Sequence, residues 1–483
     1  MQSTLFIVIL ALYFLMLVVV AHFTAKGADT QSFFTANKQS PWWLVAIGMI
    51  GTSISGATFI SVPGNVGKVS FSYYQIILGN LVGYLFIAKV LLPLYYRLNL
   101  VSIYTFLEQR FGFWSYKTGS SFFILARTLG SAARLFLAVN VLQLAIFSHW
   151  GVPFWLTALI TILLIWVYTY KGGVKTIIVT DTLQTFFLMT ALFLTIVLIV
   201  SKLDYSFFDF LLKVKDSKYS QMFFWDDFSY KHHFLKDFVS GMFLAIVMTG
   251  LDQDLMQKNL TCKSIGEAQK NMFWFCITFA LVTFMFITLG ALLYIYAEST
   301  GYPIPKSTDD LYPALALGGH FGIVASVTFL LGITAATYAS SDSALTALTT
   351  AFCIDFMDIQ QYQEAKKNRI KHWVHMGFSA LFFLVIVYFH WADTRSIIDT
   401  VFDIAGYTYG PLLGMFAFGL FTKAKVKDSL VPLVCVFSPV ITYFLVQNSK
   451  YLLNGYEFGF EKLLVNGALV FVGMCLLIEK QKR

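Results

Sequence analysis

Charge is what this 483-residue sequence has least of: Asp, Glu, Lys and Arg make up 12% of it, about half the share of a soluble domain. With 58% hydrophobic residues, that scarcity excludes a water-soluble fold and leaves an integral membrane protein. Cysteine is also scarce. Cys262, Cys276, Cys353, Cys435 and Cys475 are an odd set without metal spacing, in or beside apolar segments. They read as small core residues and not as a disulfide framework. The net charge of +8 comes with no basic-aromatic stripe, so nucleic acid is not an expected partner. No nucleophile constellation, metal cluster or phosphate-cradling loop points to an enzyme. Pieces 201–237 and 298–318 are too short for a separate core, which argues against a solute sensor with a signalling domain.

Long apolar runs are what the chain has in abundance. They begin with Leu5 to Val20, which lacks a basic flank and a small-residue cleavage signal and reads as a retained helix. Later runs follow at roughly 71–95, 119–147, 154–170, 177–200, 238–257, 271–297, 320–353, 373–391, 396–421, 430–447 and 462–478. With the stretch 44–63 they predict an all-α polytopic protein of about 13 spans, each near the ~20 residues a bilayer demands. An odd count puts the termini on opposite sides. Lys and Arg gather in the loops at 26–38, 97–117, 171–175, 258–270, 366–371 and 423–427 and at 480–483. The opposite short loops hold only Lys68, Lys306, Arg395, Lys450 and Lys462. The N-terminus is therefore expected outside and the C-terminus in the cytoplasm.

The stretch Leu44–Pro63 is long enough to span, yet Gly51, Thr52, Ser53, Ser55, Gly56 and Thr58 crowd its middle. Small residues there either let two helices pack closely or interrupt the helix. An interruption would free the carbonyls of Gly51 and Ile54 and the hydroxyls of Ser55 and Thr58 for a cation and a solute. Ionisable residues inside spans default to function. Asp181 sits about two turns, ~11 Å, into its helix. Asp342 lies in Thr337-Tyr-Ala-Ser-Ser-Asp-Ser343, where Ala336, Ser340 and Ser343 form one stripe with Ser341 adjoining. The serines could instead bond their own preceding carbonyls, and Asp181 could pair with Arg127 or Lys89. Hydroxyls, carbonyls and carboxylates form a hard oxygen environment suited to Na⁺. Arg127 and Arg134, seven residues apart, share a helix face. Each is either a bidentate partner for an anionic solute or a structural counter-ion. Gln75 and Asn80 are candidates to face solute, and Asp399 and Asp403 to line an outer vestibule or pair with Arg395.

These residues resemble the sodium/solute symporter family over nearly the whole chain. The most specific blocks are Gly172-Gly-Val-Lys…Thr180-Asp-Thr-Leu-Gln184, Asp252-Gln-Asp-Leu-Met-Gln-Lys258 and Gly406-Tyr-Thr-Tyr-Gly-Pro411, with the serine-rich 336–343 segment. The resemblance implies a leucine-transporter-type five-plus-five inverted repeat. A leading helix and connector (1–42) would precede repeats at 43–200 and 238–421, separated by the outer loop 201–237. Two further helices would occupy 422–483. It also implies a main sodium site from the carbonyls of Gly51, Ile54 and Ala336 and the hydroxyls of Ser340 and Ser341. Ala339 stands where the family often has a hydroxyl. Members with a second sodium site use positions matching Asp181, Asp342 and Ser343, an aspartate at 342 being unusual. Ser55 and Thr58 match residues that hold carboxylate in sialic-acid members, and with Gln75 and Arg134 they form the expected solute site. Thr58 replaces a glutamine of the galactose carriers, which disfavours a plain hexose. The function implied is Na⁺-coupled uptake of a small organic solute across the cell membrane by a monomer embedded in the bilayer. A proton-coupled carrier using Asp181 and Asp342 is the alternative.

Overall fold

The computed structural model describes residues 2–26, 30–170, 172–392 and 397–479. Lys171, Arg395, Lys480, Lys482 and Arg483, used above for orientation or pairing, lie outside the described residues. The described chain is helical almost throughout, with isolated bridges in place of any sheet. Among the described residues eight helices are individually long and apolar enough to span, and three bent pairs bring the candidates to as many as eleven; about thirteen were expected, and the two further apolar helices are shorter.

The first span is α1 (Gln2–Thr24). The next is broken into α2 (Trp42–Ser53) and α3 (Gly56–Val69), which meet at 58°. Helices α4 (Tyr73–Arg97), α5 (Phe113–Ala145), α6 (Phe154–Thr169) and α7 (Gly173–Lys202) close the first set of five. The second set opens on another broken span, α8 (Phe234–Gly250) and α9 (Gln253–Asn259), bent by 69°. It continues through α10 (Ile265–Thr300), α11 (Gly322–Asp355) and α12 (Glu364–Trp391). Its last member is bent by 46° between α13 (Ile397–Thr408) and α14 (Gly410–Phe421). Helices α15 (Val431–Gln447) and α16 (Lys462–Leu476) follow. Each set of five therefore starts with a discontinuous helix, as an inverted repeat requires.

The breaks survive at membrane depth because neighbours satisfy or enclose the freed backbone. Tyr95 and Tyr104 donate from their hydroxyls to the carbonyls of Gly250 and Leu251, at 2.9 and 3.0 Å, where α8 ends. Asp252 then caps α9 by accepting the Asp254 N–H at 2.9 Å. Close contact between α4 and α8 depends on glycine. A Cβ on Gly79 would sit 1.9 Å from the Phe238 carbonyl oxygen, and one on Gly241 would sit 2.1 Å from that of Ile76. Here small residues do serve backbone approach.

Three expectations about individual residues change. Lys258, read as a loop charge, is buried on α9. Lys462, also read as a loop charge, is buried at the start of α16 against Asp403. Cys475 is exposed, whereas the other four cysteines are buried.

Candidate functional site

The α2/α3 break forms because the run Gly51-Thr-Ser-Ile-Ser-Gly56 offers little to hold a helix together and its neighbour α11 comes too close for side chains. Ile54 and Ser55 take non-helical ψ values of 84° and 176°. The helical ladder stops at the Ile54 N–H to Ile50 carbonyl bond and resumes at Phe59 N–H to Ser55 carbonyl. The carbonyls of Gly51 to Ile54 lie in that gap. A Cβ on Gly56 would stand 2.2 Å from Thr337 Oγ1 of α11, so the break and the serine-rich segment are in direct contact. Ser341 Oγ is buried without a partner among the described residues, while Ser340 donates back to the Thr337 carbonyl at 3.0 Å. Carbonyls freed at the break and an unengaged hydroxyl are the kind of oxygen donors a sodium ion takes.

Asp181 of α7 is fully buried, and its Oδ2 is the centre of a cluster. The Thr52 and Ser343 hydroxyls donate to it at 3.0 and 3.2 Å. Lys258 Nζ donates to Asp181 Oδ2, to Thr52 Oγ1 and, at 2.6 Å, to Ser343 Oγ. The partner of Asp181 is thus Lys258, and neither Arg127 nor Lys89 as the sequence suggested. Asp342, on α11 next to Ser343, accepts from the Tyr168 hydroxyl at 2.8 Å. Two of the three residues expected to hold a second sodium, Asp181 and Ser343, therefore contact an ammonium, while Asp342 accepts from Tyr168. Sequence reasoning missed Lys258 because hydropathy ends that span at the residue before it. The Asp252–Lys258 block was the only available signal.

Beside the break lies a narrow cavity with a free interior of about 90 Å³ that widens toward its mouth. Ser55, Thr58, Asn80 and both arginines line it. The arginines differ in role. Arg127 donates to Asp254 and lies 3.7 Å from Asp252, whose carboxylate also receives the Tyr409 hydroxyl. Arg134 has no carboxylate within ion-pair distance among the described residues. Ser55 sits at the N-cap of α3 without using its hydroxyl there, and a Cβ on Gly56 would lie 3.6 Å from the Arg134 carbonyl oxygen. The α5 backbone at Arg134 thus adjoins the start of α3, and the Arg134 side chain lines the same cavity as Ser55 and Thr58.

Gln75 is a correction. Its amide nitrogen donates to the His232 carbonyl at 3.0 Å and Asp237 at 3.1 Å, and its oxygen accepts the Phe224 N–H at 3.1 Å. It pins loop 201–237 and is not among the cavity-lining residues.

Residues 33–428 match the sodium:solute symporter family model. The chain belongs to that family. Sodium:solute symporters are carriers, so this is a Na⁺-coupled transporter of a small solute and not an enzyme. Among similar proteins is the sodium/sialic acid symporter NanT of Aliivibrio fischeri, 24% identical over 442 residues, covering 87% of this chain and 83% of that one. The sodium/glucose cotransporter of Vibrio parahaemolyticus is 23% identical, with 84% and 78% covered. A solved substrate-bound, outward-open Na⁺-coupled sialic acid symporter superposes with a TM-score of 0.81 at 19% identity, covering 99% of this chain and 97% of that chain. That likeness shows the symporter fold.

Proposed function

We propose that this symporter uses the sodium gradient to import a small solute carrying a carboxylate, a sugar acid before a neutral sugar. The observation that supports this most is Arg134, uncompensated in the cavity beside the N-terminus of α3. A guanidinium and a helix N-terminus together favour an anion. Ser55 and Thr58 would add hydroxyl contacts at the same end, and the sialic acid carriers among its relatives agree with this chemistry. The cargo sodium is assigned to the carbonyls of Gly51, Ile54 and Ala336 with the hydroxyls of Ser340 and Ser341. Bound there, it joins α2 to α11 and favours the conformation in which the cavity admits solute. Rocking of the bundle then opens the site inward. Each net positive charge carried in gains ~2.3 kcal/mol per 100 mV, and sodium and solute tighten each other's binding equally.

The repeats are assigned to 43–200 and 238–421, with 1–42, 201–237 and 422–483 as leading helix and connector, outer loop and C-terminal pair. The lysine-rich loops support a cytoplasmic C-terminus in the cell membrane, with the monomer as transport unit. Proteoliposomes given an inward sodium gradient should accumulate radiolabelled sialic acid or a short monocarboxylate, but not glucose. Uptake that persists when choline replaces sodium and follows a proton gradient would overturn the coupling. Uptake of glucose alone would overturn the choice of an anion.

A further inference from the structure

The Asp181–Asp342 cluster has the composition of a second cation site, but Asp181 Oδ2 and the Thr52 and Ser343 hydroxyls are already engaged. An ammonium has three N–H donors and no acceptor. Lys258 directs them at Asp181, Thr52 and Ser343, which come from α7, α2 and α11. The lysine side chain is only 2% exposed, so water does not share these contacts. Its nitrogen stands among the carboxylate and hydroxyls a free sodium would need.

We propose that the Lys258 ammonium is the resident cation of this cluster, a tethered substitute for a second sodium, so that the transporter binds one sodium per chain. This rests on the sodium-coupled reading above and fixes its stoichiometry.

Charge balance supports it. Even with both aspartates ionised, two carboxylates against one ammonium leave no more than a single negative charge, and Asp342 directly follows Ser341 of the assigned main site in sequence. One sodium at the main site neutralises the group. A second would leave a net positive charge buried in low dielectric, which is strongly unfavourable. It would also stand within a few Å of the ammonium, where like charges repel steeply. A competitor fixed to α9 is moreover always present at high effective concentration. With Lys258 removed, the vacated oxygens join Asp181 Oδ1 and Asp342 Oδ1, which are buried and without partners in the described chain. A tethered cation is never released, so it contributes nothing to the charge carried per cycle.

The test is equilibrium binding of radioactive sodium to the purified full-length protein, with sodium as the only probe and potassium and choline as controls. The wild type should bind one sodium per chain with a Hill coefficient near one. Lys258→Ala and Lys258→Met should each bind one more ion, and adding Asp181→Asn to either should abolish that gain. Two ions on the wild type, or no gain in a monodisperse Lys258 variant, overturns the inference. If neither variant folds, the wild-type count alone decides it. A wild type that binds no sodium while Lys258→Ala binds one would instead refute sodium coupling and leave this assignment standing.

Discussion

Two arginines on one face of α5 have opposite fates because of what each meets across the interface. Arg127 meets Asp254 and Asp252 at the start of α9 and becomes part of the frame. Arg134, two turns on, meets the cavity. Arg134→Ala should therefore raise the solute concentration for half-maximal uptake roughly ten- to a hundredfold, the value of a hydrogen bond to a charged group. Sodium binding measured without solute should change little. An unchanged solute affinity would remove Arg134 from the site. Sequence reading placed Arg134 among the expected solute contacts, but the seven-residue offset from Arg127 says only that the two share a face and nothing about what faces them. Gln75 shows the same limit. Its position on α4 suggested solute, but both ends of its amide hold loop 201–237.

The broken spans carry the mechanism at the next scale, and the α2/α3 break was legible in sequence because small polar residues at the middle of an apolar run have few stable placements. Contact between that break and α11 is what makes it a site, and Gly56 sets how close they come. Gly56→Ala should push α11 outward, with an overpacking cost of ~1–3 kcal/mol and weaker sodium binding by thermal shift. Adding Thr337→Ala removes the oxygen 2.2 Å from the new Cβ and should restore much of the loss. Failure of the pair to recover would mean the contact does not govern the site. The α13/α14 bend is held differently. Asn466 of α16 donates to the carbonyls of Gly406 and Tyr407 at 3.0 and 2.9 Å, so a helix outside the ten-helix core supplies the freed carbonyls of a core hinge. No residue pattern in 406–414 discloses that partner, because it lies more than fifty positions away.

Across the whole molecule, the C-terminal pair is strapped to the core on the side where α5 begins. Asp428 accepts the N–H groups of Trp114 and Ser115 at 2.7 and 2.8 Å and the Ser115 hydroxyl at 2.6 Å. It serves as a cap supplied from 313 residues away and places a negative charge at the helix's positive end. Asp428→Ala should cost about 1 kcal/mol, seen as a lower melting temperature in detergent, with sodium and solute affinities retained. No loss of thermal stability would mean the strap contributes nothing measurable. The span count and the position of the first break followed from hydropathy and residue size, which act locally along the chain. The sequence by itself thus determined that the chain is an all-helical, many-span membrane protein, where its first break falls and which buried groups could bind ions. What only the tertiary structure decided was which of those groups meet: Lys258 against Asp181, Arg127 against Asp254, Arg134 against open space. Buried charges are settled by pairing across helices far apart in sequence, and periodicity along one helix carries no record of its neighbour.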